Sequence, residues 1–331
     1  MDLIKDWRII FLLCSERSGS NFTTKLMNNH SQICGPSTKH IINPLARNSF
    51  RYQPFNEKNW TFLLKDLLNL FNVTFSIWKI DLTLNELKEN IETGDLKQLI
   101  FYIFNKEAQS HGKSHVFIKE IGFYEFYPFV KHYFPNANFL FQIRDPRDMA
   151  LSWRKSKIHR GGVVQAAKRW KIDQQQFLKI QQLEQANSNI ATFKYEELVS
   201  DPKSKLSIAL DMINLDFESN MLKMDADELT KKNSEQLSSW KNISGPILRD
   251  NFNKYRLELN NSEIEIIEAI CYFEMVQLGY KPEHSWESLS KISNDRIESF
   301  HQNELKQLDY GPSSGVRENM LAKQRFYQHV K

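Results

Sequence analysis

Arg8-Ile9-Ile10-Phe11-Leu12-Leu13-Cys14 runs straight into Ser15-Glu16-Arg17-Ser18-Gly19-Ser20-Asn21. The first half is short and nearly all apolar, which reads as a strand buried on both faces. The second half is a polar turn. From Asn21 to Asn29, Phe22 and Leu26 stand four apart, and this spacing reads as a helix. The chain therefore opens as strand, polar loop, helix. A helix N-terminus presents unpaired N–H groups and a partial positive charge, and an oxyanion fits there. Gly19 lets the backbone come close, Arg17 adds a planar fork of donors, and Ser20, Asn21 and Thr23 add side-chain donors. An ordinary polar strand-to-helix turn is the competing reading of these residues taken alone. The loop is not the nucleotide-triphosphate motif G-x-x-x-x-G-K-[ST], because no Gly-Lys-Ser or Gly-Lys-Thr follows Gly19.

Outward from this stretch, residues 50–112 read as mainly helical, with helices over Trp60 to Phe71 and Leu96 to Ala108. Val116 to Ile121 reads as a strand, Glu125 to Tyr133 as a helix, Asn138 to Arg144 as a strand, and Ile190 to Lys194 as a fourth strand. Asp145-Pro146-Arg147-Asp148 opens a helix, with Asp145 at the N-cap and Pro146 at the first helical position. Asp201-Pro202 opens another through about Ile213, and Glu263 to Leu278 forms an amphipathic helix stopped by Gly279. Strands alternating with helices define an α/β fold, a central parallel sheet flanked by helices on both faces.

Arg144 ends a strand, where open parallel sheets bind ligands. Ser152 stands eight residues later, on the helix face of Asp145 and Asp148. A phosphate at the strand end would meet Arg144 from one side and Ser152 from the other. Arg147 and Arg154 are expected to face solvent or pair with nearby acids.

These residues carry a resemblance. Ser15 to Phe22 resembles the 5′-phosphosulfate loop of sulfotransferases that use 3′-phosphoadenosine 5′-phosphosulfate (PAPS). Arg144-Asp145-Pro146-Arg147-Asp148-Met149-Ala150-Leu151-Ser152 resembles their 3′-phosphate motif. Tyr195-Glu196-Glu197-Leu198 with Asp201-Pro202, and then Leu278-Gly279-Tyr280, resemble further landmarks of the family in the family's order. The match is to the bacterial-type small-molecule branch. The resemblance implies a P-loop-like sulfotransferase fold, PAPS as co-substrate, PAP as product, and no metal. It implies that Arg17 and the amides of Ser18, Gly19, Ser20, Asn21, Phe22 and Thr23 hold the 5′-phosphate, and that Arg144 and Ser152 hold the 3′-phosphate. Trp240, Lys241 and Arg256 would close over the nucleotide.

Sulfuryl transfer needs positioning and charge stabilisation at a loose in-line transition state. By the resemblance, Lys119 is the cation near the bridging oxygen. The general base departs from the family pattern: Ile121 stands where relatives carry His, and Ser37 where others carry Glu. His40 and Glu120 are the candidate bases, with an unassigned group in 220–256, or none for an amine acceptor, as alternatives.

The chain has 331 residues, 44 basic and 40 acidic, for a net charge of +4. So small an excess gives no reason to expect nucleic acid. The three cysteines, Cys14, Cys34 and Cys271, have no metal-ligand spacing and fit a reduced, cytoplasmic setting. No signal peptide or membrane span is expected. The expected layout is a sulfotransferase domain over 1–281, in which 45–112 is an acceptor-side helical segment, and a helical extension over 282–331. The expected partner is a small organic acceptor bearing a hydroxyl or amine, with a homodimer left open. A non-catalytic PAPS- or PAP-binding protein and a small-molecule kinase are the alternative functions.

Overall fold

A computed structural model describes residues 9–223, 228–236, 251–307 and 309–328. Five parallel strands, β1 (Ile9–Cys14), β2 (Ile33–Cys34), β3 (His115–Lys119), β4 (Asn138–Ile143) and β5 (Ile190–Lys194), form one sheet in the order β2-β3-β1-β4-β5. The chain steps from β1 outward to β2 and back to β3, then crosses to β4 on the other side of β1. Such a reversal leaves a crevice at the carboxyl ends of the strands around β1. The first loop, Lys119 and Arg144 all emerge there.

The apolar run of β1 has no polar alternation because both faces are covered. Ile9, Phe11 and Leu13 point into one core, where Phe139, Phe141 and Ile118 also lie. Ile10, Leu12 and Cys14 point into the other, with Phe117, Leu140 and Leu206. Helices Glu57–Phe71, Leu96–Ser110, Gly162–Gln185 and Asn261–Gln277 cover the first face. Helices Ser20–Asn28 and Pro202–Asp211 cover the second.

The elements read from sequence are present, with boundaries shifted by a few residues. Three differences have physical reasons. The stretch Glu125 to Tyr133 divides into a 3-10 turn, Phe123–Glu125, and an α-helix, Tyr127–Tyr133, which has Pro128 in its first turn. The edge strand β2 is only two residues long, too short to leave a pattern. The 24-residue helix Gly162–Gln185 also went unread; it buries Asp173, Gln174 and Glu184 among its apolar residues, which blurs its stripe.

The polar tail folds back onto the body. Helix Asn294–Gln307 packs on helix Gly162–Gln185, and the Glu304 carboxylate accepts from the amides of Val163 at 2.8 Å and Val164 at 3.3 Å. Helix Ser314–Gln328 packs on helices Ile42–Asn48 and Glu57–Phe71 and buries Ala322 and Phe326 in the first core.

Candidate active site

Gly19 caps helix Ser20–Asn28 in the left-handed region (φ 87°), and no side chain caps that end. The ring of Tyr195 lies against it: a Cβ on Gly19 would sit 2.2 Å from Tyr195 Cε2. Position 19 thus needs glycine for two independent reasons, its backbone angle and this contact. Gly19→Ala is expected to destabilise the protein by about 2 kcal/mol or more. A thermal melt that does not shift would show that Tyr195 yields freely.

The loop is held from beneath. Gln142 on β4 donates to the Ser18 carbonyl at 2.7 Å and accepts from the Thr23 hydroxyl. Ser18 Oγ donates to the Ser15 carbonyl at 2.6 Å, and Gln174 Nε2 donates to Ser15 Oγ at 2.9 Å. The amides of Phe22 and Thr23 both go to the Gly19 carbonyl, at 3.0 and 3.3 Å, and that of Ser18 goes to the Ser15 carbonyl at 3.4 Å. This narrows the sequence expectation. Thr23 is fully buried with its hydroxyl spent on Gln142, and the Phe22 ring meets the edge of Tyr195. Among the described residues, the amides of Gly19, Ser20 and Asn21 have no partner and are the open donors.

Arg17, Arg144 and Ser152 converge on this loop. Arg17, itself left-handed (φ 64°), donates to Ser152 Oγ from Nε at 3.1 Å and from Nη2 at 2.9 Å. Arg144 Nη1 donates to the Arg17 carbonyl at 3.0 Å, and Nη2 to the Asn251 carbonyl at 3.1 Å. The Arg144 guanidinium lies over the Tyr195 ring at 4.5 Å, and its buried Nε has no hydrogen-bond partner among the described residues. Neither arginine forms an ion pair among the described residues. Burial and the neighbouring Arg144 charge pull Arg17 down to about 10. A buried and a partly buried guanidinium side by side, neither ion-paired among the described residues, call for an anion.

The strand-end landmarks brace this cluster. Asp145 caps helix Pro146–Arg154 by accepting from the Arg147 amide at 2.9 Å. Arg147 is not solvent-facing: it is buried, paired with Asp145 and Glu268 at 2.7 Å each, and lies over Tyr255. Glu196 accepts from the Asp145 amide at 2.9 Å and from the Tyr280 hydroxyl at 3.0 Å, tying two sequence landmarks together. Asp148 accepts from the amides of Asn253 at 2.6 Å and Tyr255 at 3.0 Å, which brings residue 251 to Arg144. Arg256 is not brought in. It pairs with Glu283 at 3.2 Å and its Nε donates to the Tyr255 hydroxyl, so its charge is already matched. Trp240 and Lys241 lie outside the described residues.

On the other side of the loop, Lys119 ends β3 and donates to the Asn21 side-chain oxygen. Burial lowers its ammonium below the ordinary lysine value. Cys14 is buried, and burial pushes its thiol up to about 11, which makes it a packing residue. Glu120 accepts from the amides of Ile42 at 2.7 Å and Asn43 at 3.0 Å. Burial nonetheless raises it to about 7. His40 (φ 57°) makes no hydrogen bond among the described residues, and burial with the charges of Lys323 and Lys119 holds its imidazole well below 6.5. It lines a narrow cavity with Lys119 and Glu120, and also a wider cleft with Glu16 and Lys323. Lys323, from the tail, carried no sequence signal.

A central parallel sheet flanked by helices, with a glycine-capped loop after its first strand, is a P-loop-like fold. The sulfotransferase family model matches residues 9–219, and the chain belongs to that family. The sulfotransferase domain of the Synechococcus PCC 7002 olefin synthase is similar in fold: TM-score 0.54 at 17% identity, covering 80% of this chain and 94% of that one. The sulfotransferase domain of the curacin biosynthetic pathway aligns with TM-score 0.48 at 16% identity, covering 93% and 99%. Sulfotransferase STF9 from Mycobacterium avium aligns with TM-score 0.45 at 12% identity, covering 86% and 80%. No curated protein sequence matches. Among the described residues, no group of three or more His, Cys, Asp or Glu could hold a metal ion, and no helix is long and apolar enough to cross a membrane.

Proposed function

We propose that this sulfotransferase takes its sulfuryl group from PAPS and passes it to a small organic acceptor, releasing PAP. One observation carries the reading: the unneutralised arginines 17 and 144 and the Ser152 hydroxyl meet at one strand edge, beside the open amides of Gly19, Ser20 and Asn21. Those residues fit a ligand with anionic groups at both ends. Arg144, through its unpartnered Nε, and Ser152 would hold the 3′-phosphate. Arg17 would leave Ser152 to join the open amides on the 5′-phosphate. The bound nucleotide supplies a sulfuryl group on a good phosphate leaving group.

The chain's own residues supply the rest. Lys119 places a cation beside the loop, where negative charge grows as the sulfur–oxygen bond to the leaving phosphate breaks. His40 takes the proton of the acceptor hydroxyl as the new oxygen–sulfur bond forms. It is preferred over Glu120, whose carboxylate is engaged in anchoring the Ile42 and Asn43 amides. A neutral imidazole with no hydrogen bond among the described residues is ready to accept a proton.

Labelled PAPS tests this. Sulfuryl transfer to an acceptor or to water is expected, with an acid limb below pH 6.5 that His40→Gln removes. A base works deprotonated, so a lowered His40 value moves loss of activity to lower pH. Tight nucleotide binding without any transfer would instead favour a non-catalytic binder.

A further inference from the structure

A cleft of about 310 Å³ opens on the acceptor side of the loop, between Glu16, His40, the Ile121-Gly122 turn and Lys323. We propose that this cleft seats the acceptor by a carboxylate bound to Lys323, so that the acceptor is a small carboxylic acid bearing the hydroxyl or amine that is sulfated. The proposal rests on the sulfotransferase reading of the adjoining site.

The charges around the cleft single out Lys323. Arg47 is paired with Glu125, Arg169 Nε lies 2.9 Å from Asp173 Oδ1, and Glu16 lies 3.5 Å from His159 Nε2. Lys323 has no hydrogen bond or ion pair among the described residues. Glu120 and Glu16 are the carboxylates that act on it, but the first is committed to two backbone amides and the second faces His159. Burial pulls the Lys323 ammonium down to about 8, which still leaves it mostly charged at neutral pH. A half-buried cation with no contact partner among the described residues is stabilised when an anion joins it.

The ammonium is also positioned rather than adrift. Lys323 stands between the buried Ala322 and Phe326, and the Phe326 ring meets Tyr52 at 6.2 Å. The tail helix, anchored by these two residues, places Lys323 on the cleft wall. His40 lines the same cleft and also the cavity of Lys119. A carboxylate on Lys323 leaves the acceptor's hydroxyl to the His40 side, toward the transfer site. A flat apolar acceptor would gain little from walls carrying Arg47, Arg169, Glu16 and Glu125.

Matched probes decide it: 4-hydroxyphenylacetate against 4-hydroxyphenylacetamide, and 3-hydroxybutanoate against 3-hydroxybutanamide. Binding to the full chain is measured by ligand-observed NMR, with and without saturating PAP. The carboxylates are expected to bind at least roughly tenfold more tightly than the amides, the scale of one retained charge contact. Lys323→Met should bring each pair to parity, and Lys323→Arg should restore the preference. Parity in the unmodified protein, no binding of either carboxylate, or a preference surviving Lys323→Met would each overturn the proposal. A PAP isotherm on the same samples separates the two readings. Absent PAP binding would sink the donor assignment, while the probe series measured without PAP still decides the role of Lys323.

Discussion

Arg144→Ala should weaken PAP binding by roughly 30- to 150-fold, which corresponds to about 2–3 kcal/mol for a lost charge-assisted contact. Adenosine 5′-phosphosulfate, which lacks the 3′-phosphate, should lose far less. The asymmetry follows from how this arginine is used. Two of its donors go to neutral carbonyls, those of Arg17 and Asn251, which hold the guanidinium in place without neutralising it. Tyr195 supports it from one face, and its buried Nε has no partner among the described residues. A side chain so fixed keeps its charge and one donor for a ligand. Arg144→Lys should recover only part of the affinity, because an ammonium keeps the charge but loses the fork. Calorimetric titration with both nucleotides reads the result. Equal losses for the two would mean that the substitution damages the loop through the Arg17 carbonyl, and the 3′ assignment would fall.

Local patterns made the loop and strand-end half of the candidate site legible. An apolar run followed by a glycine and small polar residues marks β1 and its loop, and Asp145-Pro146 marks the next helix start by its capping chemistry. Helix periodicity puts Ser152 on the face of Asp145 and Asp148, next to the strand end that carries Arg144. What the pattern could not show is that Arg17 reaches across to Ser152, because that contact joins residues 135 apart in the chain. The contacts of Thr23 and Arg256 were illegible for the same reason: Gln142 and Glu283 bond them, and neither partner is near in the chain. Lys323 was least legible of all. It sits in a polar tail with no motif, and only the burial of Phe326 in the first core brings it to His40. The proposed acceptor cleft is built by tertiary packing, so residues that read as an unremarkable tail line it.

Lys119→Ala is expected to lower turnover by about 10²–10³-fold, the scale of losing one preorganised cation at a developing charge, with PAP affinity changed little. Lys119 leaves β3 at the register of Leu12, so its amine reaches the loop that follows β1. Asn21 fixes that amine through its side-chain oxygen, a neutral partner that orients the charge without cancelling it. Burial lowers the ammonium's value and the Arg17 charge lowers it further, while Glu16 acts in the opposite sense. A cation held this way gains most when negative charge appears beside it, which happens as the donor's bridging bond breaks and not when the donor merely binds. Asn21→Ala should then reduce turnover less than Lys119→Ala, because it loosens the amine without removing it. Single-turnover transfer from labelled donor, to acceptor or to water, measures the first quantity, and a PAP isotherm the second. If Lys119→Ala weakens PAP binding but leaves the single-turnover rate at saturating donor unchanged, the lysine is a ground-state phosphate ligand, and stabilisation of the leaving oxygen must come from Arg17 and the open amides alone.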